Sequence, residues 1–179
     1  MKKMLHDPLL TVARVGTYIV QVAFVIGQVG LGIGIAATVI GALGYLPREA
    51  VVEGIEHLSP ALLWPAALAM ALVLVALGLA TRFVVRLRQI IDTVGQGDPF
   101  VAENGERLTH MAWLALAGQI LGMIAGAIGG WIQVHGGHGR YDLDVGVSFT
   151  GFFVAVILFI LARVFREGAR MRSDLEGTV

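Results

Sequence analysis

Between Arg14 and Arg48 the chain runs for 33 residues without an Asp, Glu, Lys, Arg or His. At about 1.5 Å of rise per residue, a helix of that length exceeds the roughly 30 Å of a bilayer's hydrocarbon core. A secretory signal would carry a shorter apolar stretch and a small-residue cleavage site, so the run reads as an uncleaved membrane helix. Its length predicts a tilt, or a Gly41–Pro47 end that projects beyond the lipid.

Three further charge-free runs follow, over 58–81, 111–134 and 145–162. The last is the shortest, and Arg163 and Arg166 can extend its reach by snorkelling. A transmembrane barrel would need many tilted segments of about ten residues with strict alternation, and no such pattern is present. The expected fold is therefore all-α: an integral membrane four-helix bundle, one domain over 1–179, with helices at about 12–45, 58–95, 105–134 and 146–172. Composition agrees, since 56% of residues are hydrophobic, 15% are charged and mean hydropathy is +0.79, which suits lipid as solvent.

Orientation follows from lysine and arginine. Eleven of the 13 lie in three places: Lys2, Lys3 and Arg14 at the start, Arg82, Arg86, Arg88 and Arg107 between the second and third runs, and Arg163, Arg166, Arg170 and Arg172 in the tail. The two other loops hold Arg48 and Arg140 against Glu49, Glu53, Glu56, Asp142 and Asp144. The positive-inside rule then predicts both termini in the cytoplasm, with a bacterial-type inner membrane as the expected location. Helices two and four are expected to continue into the cytoplasm as amphipathic extensions: Phe83, Val84, Leu87, Ile90, Ile91 and Val94 recur at helical spacing, and the arginine-bearing tail repeats the theme. The second helix should stop near Gly95–Gly97, with Asn104 capping the third.

Inside the spans, Gly118, Gly122, Gly126 and Gly130 form a ladder at four-residue intervals, with Gly27, Gly30 and Gly34 of the first helix as a candidate mate. Such a face admits a close neighbour, either within the monomer or across a homo-oligomer. Gln21 and Gln28, seven residues apart, share a face and are placed to bond with Gln119 of the third helix. No acidic or basic residue lies clearly at mid-membrane, which weighs against an ion-coupled pump. The outer loops hold His57, His135 and His138 beside acidic residues. Their spacing matches no established zinc pattern, and no tight metal site is expected.

Zero net charge gives no reason to expect direct nucleic-acid binding, and the absence of cysteine removes thiolate and cysteine-ligated metal chemistry. No serine has an evident local base, and no phosphate loop follows a strand, so neither catalysis nor a cofactor is expected.

Two segments carry a resemblance. Leu87 through Val94, Gly97-Asp98-Pro99-Phe100 and Glu103 through Leu108, together with Val164 through Arg170 and Asp174 through Val179, resemble the motifs of the YoaS-like family of small bacterial four-helix membrane proteins of unknown function. Members of that family are commonly encoded beside a Cro/C1-type helix-turn-helix regulator, which implies a membrane partner for a transcription factor. The expected function is a non-enzymatic regulator or adaptor that presents the 82–108 loop and the C-terminal tail to that partner. Arg82, Arg86, Pro99, Phe100, Arg166 and Arg170 are the candidate contacts. The alternatives are a small transporter or channel subunit assembling through the glycine face, and an outer-face metal or pH sensor. For Pro99, Phe100 and Asn104 a second role stays open, that of shaping a tight loop and capping a helix.

Overall fold

The computed structural model describes residues 8–45, 59–136 and 149–176. They form four α-helices: α1 (Pro8–Ala42), α2 (Pro60–Gly95), α3 (Ala102–Gly136) and α4 (Thr150–Glu176). Three of these, α1 to α3, are long and apolar enough to cross a membrane. Helix α4 is not among them, because its first eighteen residues already include Arg163, Arg166 and Glu167. Little of the apolar surface is hidden: only 11% of the most apolar eighteen-residue window of α1 is buried, and 22% and 17% of those in α2 and α3. In water so much exposed Val, Leu and Ile would drive aggregation, whereas lipid tails solvate it.

The helix ends follow from local chemistry. Pro60 opens α2 at the position where a missing N–H costs nothing. Helices α1 and α2 both close on a left-handed glycine, Gly44 (φ 80°) and Gly97 (φ 86°). Around Gly97, its own N–H reaches the Val94 carbonyl at 3.0 Å and the Asp98 N–H reaches the Thr93 carbonyl at 3.1 Å. Gly44 and Tyr45 make the same pair of bonds to Gly41 and Ile40, so each end is a Schellman motif.

Helix α3 starts at Ala102, three residues before the position expected from sequence, and its first turn holds Glu103. Asn104 therefore does not cap it. The side chain lies inside the helix, fully buried, and its amide is committed to partners outside the helix.

By contacts the described residues fall into two compact units. One gathers the described parts of Met1–Phe24, Leu79–Ala117 and Phe149–Val179. Its core is Ile90 of α2, Leu108, Met111 and Ala112 of α3, and Leu158 and Ala162 of α4, with Phe83, Leu87, Phe159 and Phe165 packed against it. The other unit takes the described parts of Val25–Gly78 and Gly118–Ser148. There Leu62, Leu63, Ala66, Ala67 and Ala125 are buried, and the Thr38 hydroxyl donates to the Gly34 carbonyl at 2.8 Å beside Met70.

Close helix approach occurs at glycines outside the ladder. A Cβ placed on Gly105 would lie 2.6 Å from Arg166 Cγ and 3.4 Å from the Ala162 carbonyl oxygen, and one on Gly168 would lie 2.7 Å from Phe100 Cδ1. On Gly118 or Gly122 it meets no atom of the described residues within 4 Å. Gly126 and Gly130 are partly buried.

Candidate functional site

The first unit holds a dense set of polar side-chain contacts, and they begin with a loop. After Gly97 turns the backbone, Asp98, Pro99 and Phe100 cross to the start of α3. Asn104 holds this crossing from beneath: its amide donates to the Pro99 carbonyl at 2.9 Å and to the Thr93 hydroxyl at 2.7 Å. Its remaining oxygen accepts from Arg107 at 2.7 Å. A buried carboxamide is stabilising only when both ends are satisfied, and here both are.

Helix α4 grips the same loop from the other side. Arg172 pairs with Asp98, the Phe100 and Phe165 rings pack with centroids 5.4 Å apart, and Arg166 donates to the Thr109 hydroxyl at 2.8 Å. The absence of a side chain at Gly168 is what lets the Phe100 ring lie against the α4 backbone. The loop and the tail, two segments far apart in sequence, thus form one surface.

Helix α1 braces α2 through two arginine contacts. Arg14 pairs with Asp92 at 2.7 Å, and Arg88 donates to Gln21 at 2.9 Å while its guanidinium sits 4.4 Å above the Tyr18 ring centre. Gln21, expected from sequence to bond with Gln119, accepts from Arg88 instead.

Arg82 and Arg86 stand one turn apart on α2, in a groove of about 610 Å³ that faces α3. Thr81, Gln89 and His110 share its polar side, while Val85, Trp113, Leu114 and Ala117 form the apolar side. Arg86 donates to Gln89 at 3.2 Å, and Arg82 has no ion pair among the described residues. No acidic side chain lines the groove.

The residues singled out from sequence thus divide. Pro99, Phe100 and Arg166 are engaged inside the chain. Arg82 and Arg86 line the groove, and Arg170 is exposed without an ion pair among the described residues. His135 stacks on Trp131 with centroids 4.4 Å apart and contacts its carbonyl oxygen. His57 and His138 lie outside the described residues, and among the described residues no three His, Asp or Glu gather as a metal site. Sequence reasoning missed Gly105, Gly168 and the Arg88–Tyr18 contact. The only available signal was that both glycines interrupt amphipathic helices, where glycine is otherwise unfavourable.

A family model described as a protein of unknown function, DUF2975, matches residues 52–179. The chain belongs to this family. The DUF2975 match takes in α2, α3 and α4, hence the groove, the loop and the tail, and leaves out Arg14, Tyr18 and Gln21 of α1. No curated protein and no solved structure matches the chain.

Proposed function

We propose that this chain is a non-enzymatic membrane regulator or adaptor that presents a composite surface, built from the 82–108 segment and the C-terminal tail, to a cytoplasmic partner. Under this reading α4 crosses the bilayer with α1 to α3, and both termini are cytoplasmic in a bacterial inner membrane. The arginine distribution supports that orientation.

One observation carries the reading. The two segments that resemble the YoaS-like motifs fold onto each other, through Arg172 with Asp98 and Phe100 with Phe165 and Gly168. A pore or an outward-facing receptor has no need of such a clasp at its inner end. Arg163 and Arg170 stay exposed on α4 and make no ion pair among the described residues. They are the side chains an acidic surface on a partner would meet. Pro99 and Phe100 act by shaping the surface. The association of YoaS-like proteins with a helix-turn-helix regulator makes that class of protein the first partner to test.

The test is co-expression of the intact chain with a Cro/C1-type helix-turn-helix regulator, followed by purification in mild detergent. The regulator is expected to accompany the parent chain and to be lost with Arg170→Glu and with Phe100→Ala, while the variants stay inserted and folded. If both variants keep the partner and every transcriptional readout, the adaptor reading fails.

The openness at Gly118 and Gly122 favours a second reading, a small transporter or channel subunit whose copies meet along that glycine face. Cross-linking in native membranes separates the two: a single cysteine at Gly122 links copies of the chain only under the second.

A further inference from the structure

We propose that the groove between α2 and α3 binds the phosphate of an anionic phospholipid, with Arg82 and Arg86 as its ligands and with an acyl chain lying along Leu114 and Ala117. Three observations meet at this place.

The first is charge. Two guanidinium groups one helical turn apart face a groove with no acidic lining residue. Arg82 makes no ion pair among the described residues, and Arg86 has a neutral partner, Gln89. Five other arginines of this unit are already committed, Arg14 to Asp92, Arg88 to Gln21, Arg107 to Asn104, Arg166 to Thr109 and Arg172 to Asp98, while Arg163 and Arg170 lie exposed on α4 and line no part of this groove. Guanidinium forks match phosphate oxygens in geometry as well as charge. Gln89 and a ring N–H of His110 add further donors.

The second is level. Arg82 is the first charged residue after the charge-free run 58–81, and His110 is the last titratable residue before the run 111–134. Two antiparallel neighbours therefore cross from apolar to polar sequence at the same groove. That crossing is where a lipid's phosphate meets its hydrocarbon.

The third is shape and lining. Beside Thr81 and the two arginines the groove is lined by Val85, Leu114 and Ala117, apolar surface that a soluble anion would leave uncovered. Trp113 borders the groove, half exposed and edge-on to Phe159, the placement of an indole at a membrane interface. A free phosphate accounts for the arginines alone, and a phospholipid accounts for the whole lining.

Trp113 also supplies the probe. The chain has three tryptophans, so the full-length protein carrying Trp64→Phe and Trp131→Phe reports from the groove alone. It is reconstituted in lipid nanodiscs containing phosphatidylglycerol or phosphatidylcholine with brominated acyl chains, which quench a nearby indole. Brominated phosphatidylglycerol is expected to quench at a mole fraction on the order of tenfold lower than brominated phosphatidylcholine, as two basic residues at the interface imply. The preference should vanish in Arg82→Gln/Arg86→Gln and persist in Arg163→Gln/Arg170→Gln, whose arginines lie on α4. Val85→Phe, which fills the groove and keeps both charges, should also abolish it, so the result does not depend on one variant folding. Inorganic phosphate in large excess should leave the preference unchanged. Equal quenching by the two lipids, or a preference that survives both groove variants, overturns the proposal. Loss of the preference in inorganic phosphate at matched ionic strength overturns the lipid assignment in favour of a soluble phosphate.

Discussion

The amide of Asn104 donates to the hydroxyl of Thr93 at 2.7 Å, and that hydroxyl donates in turn to the carbonyl of Ile90 at 2.8 Å. The direction of this relay is fixed, because Thr93 has spent its one proton on Ile90 and can only accept from Asn104. With Pro99 offering a second acceptor at 2.9 Å, the site demands two donors from a single buried side chain. Asparagine supplies them.

Asn104→Ala removes those donors and strands the Pro99 carbonyl and the Arg107 fork, at an expected cost of about 2 kcal/mol. Asn104→Asp keeps the size and the acceptor for Arg107 but sets a carboxylate oxygen against two acceptors, so it should be no milder. Thermal or denaturant unfolding of both variants in detergent measures this. Parent-like stability for Asn104→Asp would mean that the relay runs the other way.

Gly168→Ala puts a methyl group into the Phe100 ring, at 2.7 Å from Cδ1 and 3.0 Å from Cε1. Overpacking of this kind costs on the order of 1–3 kcal/mol. Phe100→Ala alone loses the contact with Phe165. In the double variant the clash has no partner, so the two effects should fall short of their sum. Strict additivity in unfolding experiments would show that the ring does not rest on Gly168.

The open face of α3 gives the opposite expectation. At Gly122 an added Cβ has no neighbour within 4 Å among the described residues and a substitution gains helix propensity, so the monomer's unfolding free energy in detergent should change by no more than about 0.5 kcal/mol in Gly122→Ala. A large loss confined to conditions where the chain self-associates would identify that face as a contact between copies.

How much of this was readable in advance depends on the range of the forces involved. The three long apolar helices are legible because hydrophobic runs and charge gaps are properties of consecutive residues. The end of α2 is marked locally too, since Gly97 occupies a backbone region that other residues avoid. Asn104 misleads for the same reason: asparagine before a helical pattern ordinarily signals a cap, and its real partners at 93 and 99 become visible only once α2 and α3 are folded together. Gln21 was assigned a polar mate inside the membrane because glutamines pair in lipid, whereas its side chain accepts from the charged Arg88 at 2.9 Å. The glycine ladder drew notice by its regularity, while Gly105 and Gly168 have no repeat to announce them. Their role is set by Arg166 and Phe100, 61 and 68 residues away respectively.

Orientation can be settled with one thiol. The chain has no cysteine, and Gln96 is exposed beside the loop. It is preferable to Gly97, whose positive φ penalises any side chain. Gln96→Cys in intact cells should resist a membrane-impermeant maleimide and react once the inner membrane is opened. Labelling from outside would reverse the topology and move the proposed partner to the other compartment.

The grip of α4 on the α2–α3 loop also imposes an order of assembly during synthesis. Asp98 and Phe100 leave the ribosome some 70 residues before Arg172 and Phe165, so while that stretch is being made the loop has no lid and α3 no second wall at Gly105. Whatever docks on the finished surface therefore encounters only chains whose last helix has been made and seated, and an unfinished product offers it nothing to hold.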